Sequence, residues 1–115
     1  MSTEVGRKAE QVAADFLQRK GYRLLAQNWR TRWCEIDLIV TQGRIVYFVE
    51  VKYRSGMAQG FGLDYITPKK LEQMSFAAEL WLTQNQRKNT EYRLAALEVS
   101  GLHYSITAWL DDLQL

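Results

Sequence analysis

The chain has one cysteine, one histidine and no long apolar run among its 115 residues. Each scarcity closes off some chemistry. A lone Cys34 excludes an internal disulfide and an all-cysteine metal site. A reducing compartment is the default for such a chain, so a cytoplasmic protein is expected. His103 lies on a late strand without a visible partner and reads as structural or exposed. No stretch approaches the ~18 apolar residues of a membrane-spanning helix, so no membrane association is expected. The opening MSTEVGRKAEQ lacks the apolar centre of a signal peptide. Internal repeats and low-complexity tracts are also missing. The formal charge of +2 permits an anionic partner without demanding one, so charge placement has to decide.

What is present is core material. The chain is 47% hydrophobic, with 4 Trp, 6 Tyr and 4 Phe, and its length suits one domain over residues 1–115. Such a domain buries roughly two-thirds of its unfolded surface. Residues 3–20 carry apolar side chains at helical spacing, from Val5 through Ala9, Val12, Ala13 and Phe16 to Leu17. Ser2 or Thr3 is the predicted cap, and Lys20-Gly21 the predicted stop. Strands are predicted over 22–30, 33–40 and 44–54, with a turn at Gln42-Gly43. A glycine-rich loop follows over 55–62. Thr67-Pro68 opens a second helix, whose stripe runs from Leu71 to Leu82. A final hairpin over 92–99 and 102–109 is predicted to turn about Ser100-Gly101. The order α-β-β-β-α-β-β makes an α/β domain with a mixed sheet flanked by helices. The closing DDLQL has no assigned place.

The charged residues inside the second and third strands need explaining. With a two-residue turn at Gln42-Gly43, Asp37 lies opposite Phe48, Glu35 opposite Glu50, and Trp33 opposite Lys52. Glu35, Asp37, Glu50 and Lys52 then share one face. Asp37 and Glu50 are diagonal neighbours, with Cα atoms roughly 7–8 Å apart. The opposite face of the third strand is Ile45, Tyr47, Val49, Val51 and Tyr53. Clustered carboxylates repel unless a cation relieves them, and hard oxygen ligands suit Mg²⁺ or Mn²⁺. Lys52 can hold a phosphate or position and deprotonate a water, which with the metal is equipment for phosphodiester hydrolysis. The plainer reading is a solvated face with Glu–Lys ion pairs. Ile36, Leu38 and Ile39 around Asp37 weigh against it, because a carboxylate in apolar surroundings costs stability unless compensated.

Further basic residues point to a nucleic-acid partner. Lys69 and Lys70 stand in the first turn of the second helix, where they oppose the helix dipole and favour an anion. With Arg30, Arg32 and Arg54 they can form a basic rim. Trp29 and Trp33 flank these arginines in a pattern compatible with base stacking, although strand tryptophans more often belong to a core. Glu10 lies in line with Gly6, Ala13 and Leu17. It reads as a surface glutamate or as a further ligand.

An Asp on one strand and Glu-x-Lys on the next, as Asp37 and Glu50-Val51-Lys52, resembles the PD-(D/E)xK nuclease core. The spacing is similar to that of archaeal Holliday junction resolvases. A closer resemblance, along nearly the whole chain, is to the bacterial YraN family. It rests on Gly6 and Glu10, Asn28-Trp29-Arg30, Glu35-Ile36-Asp37-Leu38-Ile39, Val49-Glu50-Val51-Lys52 with Arg54, and Phe61-Gly62 with Lys70. The resemblance implies a restriction endonuclease-like fold. It implies a metal-dependent endonuclease acting on DNA, branched or structured DNA included. Asp37 and Glu50 would be metal ligands, with Glu10 an outer acidic one. Lys52 would serve the water or the transition state, and Lys70 would contact phosphate. Two strands cut by paired sites would suit a homodimer. The alternatives are a nucleic-acid binder that does not cleave, and a protein-interaction module. Two positions depart from the family pattern: Cys34 replaces a glycine, and Arg93-Leu94-Ala95 replaces Arg-Phe-Asp.

Overall fold

The computed structural model describes residues 3–56 and 64–113. Helix α1, Glu4–Arg19, begins where the Thr3 hydroxyl accepts a hydrogen bond from the Gly6 amide at 2.9 Å. It ends at Gly21, whose φ of +95° turns the chain so that the Tyr22 amide reaches the Leu17 carbonyl at 2.9 Å. Strands β1 (Arg23–Arg30), β2 (Glu35–Gln42) and β3 (Ile45–Arg54) follow. Helix α2 (Pro68–Gln84) leads to β4 (Tyr92–Ser100) and β5 (Ser105–Leu110). The Thr67 hydroxyl caps α2 through the Lys70 amide at 3.1 Å, with Pro68 in the first turn. The order α-β-β-β-α-β-β is the predicted one. Most of the predicted loop 55–62, with Phe61-Gly62, lies outside the described residues, as does Ser2.

One sheet takes the strands in chain order, β1-β2-β3-β4-β5. The β3–β4 pair is parallel and the others are antiparallel. A parallel pair needs a crossover, and α2 supplies it. Alternation along β3 then divides the core. Tyr47 and Val49 pack with Ala9, Ala13, Ala14 and Leu17 of α1. Val46 and Phe48 pack with Leu71, Met74, Ala78 and Trp81 of α2. With a helix on each face, β4 is buried from Leu94 to Val99. Phe48 has no exposed surface and meets the Trp81 and Tyr92 rings edge to face, each at 5.8 Å. Among the described residues no helix is long and apolar enough to cross a membrane.

Three details differ from the sequence reading. The β2–β3 turn is Gly43-Arg44, because Gln42 pairs with Ile45. Gly43, at φ +63°, takes the first central position, the place a type II′ hairpin reserves for glycine. Every partner across the hairpin therefore moves by two residues, a shift that keeps each side chain's face. The paired register ends at Leu38 and Val49, one residue short of Asp37 and Glu50.

The second difference is Trp33, which lies before β2 and not within it. The Thr31 hydroxyl accepts from the amides of Trp33 at 3.1 Å and Cys34 at 3.0 Å, closing a turn that competes with the strand. The third is the last hairpin, which pairs Ser100 with Ser105 across a four-residue loop starting at Gly101. His103 is exposed in that loop. Of the unplaced tail, Leu113 is tied back to β4, its amide donating to the Leu94 carbonyl at 2.7 Å.

Candidate functional site

The β2–β3 ladder stops at Leu38 and Val49, in the middle of both strands. Beyond it the Val51 amide donates to Asp37 Oδ2 at 2.8 Å. A side-chain carboxylate thus replaces the backbone carbonyl that a continued ladder would offer. Asp37 is 9% exposed, between the fully buried Ile36 and Leu38. Burial, then the charge of Glu50, pushes its carboxyl up to about 8, against the pull of the Val51 amide. Glu10 and Glu35 add further repulsion.

Glu10 arrives from α1. Burial raises the pKa of its carboxyl, with Asp37 and Glu35 near enough to influence it. Asn28 supports it from β1. With its amide nitrogen turned to the two glutamates, Asn28 donates to Glu10 at 3.0 Å and to Glu35 at 3.2 Å. The backbone of Asn28 has φ +52°, a left-handed conformation asparagine tolerates better than most residues. That kink lets Asn28 face Glu10 while the next residue, Trp29, packs on the α2-side core. The sequence showed Asn28 only as part of a motif block. The signal was an asparagine interrupting a strand.

Glu50 comes from the other side of the gap. Burial raises its carboxyl, and the Lys70 ammonium, 3.6 Å away, is the main opposing influence. Four carboxylates from α1, β2 and β3 therefore act on one another, with Lys70 as the cation beside Glu50. Among the described residues, no three acidic, histidine or cysteine side chains are close enough to hold a metal as they stand.

The basic residues separate into two groups. Lys52 lies 5.4 Å from the Tyr65 ring centroid, and its charge acts on Glu50. Arg54 meets Asp64 at 2.9 Å and Glu98 at 3.6 Å, and also lies over Tyr65. Its side chain is largely buried in that network. Glu98 is itself buried and accepts from the Thr107 hydroxyl at 2.8 Å. Arg30 is exposed and approaches Glu35 at 3.5 Å, while Arg32 and Lys69 are exposed. Tyr65 and Glu98 were missed in the sequence, since a tyrosine after a loop and a glutamate on a late strand carry no local signature. Burial raises the Tyr65 phenol, and Glu50 and Glu98 reinforce the shift.

The two departures from the family pattern have clear surroundings. Cys34 is buried at the close of the Thr31 turn, and burial raises its thiol despite the nearby charge of Lys70. It is not poised as a nucleophile. Ala95 is fully buried beside Val49 in the α1-side core.

A family profile, "Uncharacterised protein family UPF0102", matches residues 9–99. The chain belongs to family UPF0102. The matched span runs from α1 through β4, so it covers every carboxylate of the cluster and Lys70. A UPF0102 protein of Vibrio campbellii is 38% identical over 104 residues, spanning 89% of this chain and 83% of that protein. A UPF0102 protein of Neisseria meningitidis serogroup B is 43% identical over 97 residues, spanning 84% of each. This is the YraN-type family to which the motif blocks pointed.

Proposed function

We propose that this UPF0102 protein is a metal-dependent nuclease whose substrate is DNA, branched or structured DNA included. The observation that carries the reading is Asp37 at the break in the ladder, with the charge of Glu50 acting on it and Lys52 two residues on. A restriction endonuclease-like core needs that arrangement, and a five-stranded mixed sheet between two helices accommodates it. The buried carboxylates fit a hard cation such as Mg²⁺ or Mn²⁺. Their ligand atoms are all oxygen, and burial, with mutual repulsion added, raises their pKa values, a cost that a cation relieves. Asp37 and Glu50 would hold the ion, with Glu10 as an outer ligand held by Asn28. Such an ion supplies Lewis acidity toward a phosphate oxygen and an activated water.

The chain's own residues have separate tasks. Asp37 must lose its proton before it can act as a ligand. The Val51 amide fixes one of its oxygens and so sets the direction of the carboxylate. Lys70 neutralises Glu50 at rest and is placed to shift toward a phosphate once Glu50 has another cation. Lys52 stands beside Glu50 to orient or deprotonate the attacking water. Lys69, Arg30 and Arg32 are exposed for backbone contacts. Arg54 braces β3 against β4 through Glu98. A cytoplasmic setting agrees with a single cysteine. Paired cutting would call for a homodimer.

The reading is tested with purified protein, Mg²⁺ or Mn²⁺, and labelled duplex, nicked, forked, four-way and single-stranded DNA and RNA. Metal-dependent cutting that disappears in Glu50→Gln is the expected result. Binding without cutting by both proteins would favour a recognition protein. That second reading has its own support, because Lys70 already satisfies Glu50. No nucleic-acid binding at low salt would leave a protein-interaction module.

A further inference from the structure

Two large aromatic side chains stand in solvent beside the α2-side core. Trp33 is 57% exposed and Phe76 60%. Their rings meet edge to face, with centroids 5.5 Å apart. They line a surface cavity with Glu72 and Gln73. The Arg32 guanidinium lies over the indole at 5.3 Å. The Thr31 turn and the buried Cys34 fix Trp33 from one side, and helix α2 fixes Phe76 from the other. Neither ring is needed to close the core beneath, which Leu71, Met74 and Ala77 already fill.

We propose that Trp33 and Phe76 form a stacking platform for one unpaired nucleobase next to the carboxylate cluster. The proposal rests on the nuclease reading and deepens it, because it makes the preferred substrate a strand with an unpaired base near the cut. Aromatic faces bind bases of any sequence through stacking. Arg32 brings positive charge over the indole ring, where a phosphate beside the stacked base can meet it. Glu72 repels phosphate, so the base and not the backbone must face it, and Glu72 and Gln73 can meet a base edge. Trp33 adjoins Cys34, whose thiol feels the charges of Lys70, Glu50, Asp37 and Glu35, so a strand on the platform passes close to the cluster.

A second copy of the chain is a poorer occupant. Two aromatic side chains exposed to this degree offer roughly 200–300 Å² together, against about 800 Å² per partner in a stable interface.

The test uses 2-aminopurine placed in a single-nucleotide gap, in a single-stranded overhang and within blunt duplex. Binding is measured for the wild type, for Trp33→Leu with Phe76→Leu, for Phe76→Leu alone, and for Glu50→Gln. Leucine keeps apolar bulk at both exposed positions, and the single variant stands in if the double one fails to fold. The wild type and Glu50→Gln are expected to quench the unpaired base. The leucine variants lose that quenching and bind the gapped probe roughly 5- to 150-fold more weakly. Their affinity for blunt duplex stays the same. If the leucine variants bind and quench like the wild type while the wild type still cuts, the platform is refuted and the nuclease reading stands. Equal loss on blunt duplex also refutes it. If the wild type binds no probe, both readings fall. A dimer in sedimentation that the leucine variants convert to monomer would make a second copy the occupant and overturn the proposal.

Discussion

Replacing Asp37 by asparagine should stabilise the metal-free protein at neutral pH while removing its proposed activity. Asp37 carries an ordinary carboxylate value of 3.8 when unfolded and about 8 when folded. Between those limits the native state holds a proton that the unfolded state has released. Stability from the protonated carboxyl is therefore complete below about pH 4 and is lost as pH rises to about 8. The slope is roughly 1.4 kcal/mol per pH unit, so pH 5 to pH 7 costs roughly 2.7 kcal/mol. For a domain of this size that is roughly 10 °C in Tm. Asparagine keeps an oxygen for the Val51 amide but carries no charge. Thermal unfolding from pH 4.5 to 8.5, with chelator present, should give a wild-type curve falling more steeply than the Asp37→Asn curve. Glu10 and Glu50 titrate in both proteins, so the difference isolates Asp37 and its coupling to them. Parallel curves would refute the burial-and-repulsion account. Millimolar Mg²⁺ or Mn²⁺ at pH 8 should then raise the Tm of the wild type and leave the variant almost unmoved.

Other consequences follow from the same geometry. Cleavage by the wild type should rise from pH 6 to pH 9 as Asp37 deprotonates, with the midpoint falling at higher metal concentration; a flat pH profile would contradict this. Lys70→Met removes the main influence holding down the Glu50 carboxyl. It should cost about 1–3 kcal/mol at pH 8 and less at pH 5, where Glu50 can take up a proton, as read by urea unfolding at both values. Phe48→Ala empties the centre of the α2-side core, and denaturant unfolding should show a loss of about 3–5 kcal/mol. Gly43→Ala forces a β-carbon into a left-handed turn at φ +63°, with an expected loss of about 1 kcal/mol by the same assay.

Much of the site was legible because strands report their faces through alternation. Asp37, Glu50 and Lys52 stood out as charges within apolar strands, and the structure keeps Asp37 and Glu50 at one gap. A two-residue slip by itself preserves alternation, but β2 breaks it at Asp37, so that Leu38 and Val40 face α1 while Ile36 and Ile39 face α2. What the sequence hid is that the ladder opens there, with Asp37 taking the Val51 amide and feeling the charge of Glu50. A glutamate on a helix has no such local signature. Glu10 reaches the cluster only because α1 packs its alanine face against β3. Asn28 was unreadable for a related reason, since its role depends on a single left-handed residue that redirects one side chain. Arg54 resembled a solvent-facing cation in sequence, and only the neighbouring β4 supplies the Glu98 that draws it inward.

By itself the sequence determined the elements and their order. Helical spacing in α1, the Thr67-Pro68 start of α2 and the apolar alternation of β3 are local signals, set by caps and by side-chain period. It also marked Asp37 as a carboxylate in apolar surroundings, framed by Ile36, Leu38 and Ile39. Tertiary structure alone decided that β3 and β4 run parallel, that the β2–β3 ladder opens at Asp37, and that Glu10, Asn28 and Lys70 converge there. These are contacts between residues distant along the chain, chosen by how two helices bury opposite faces of one sheet. No local pattern specifies them. The raised pKa of Asp37 has the same origin, because desolvation and the approach of Glu50 exist only once the chain has folded.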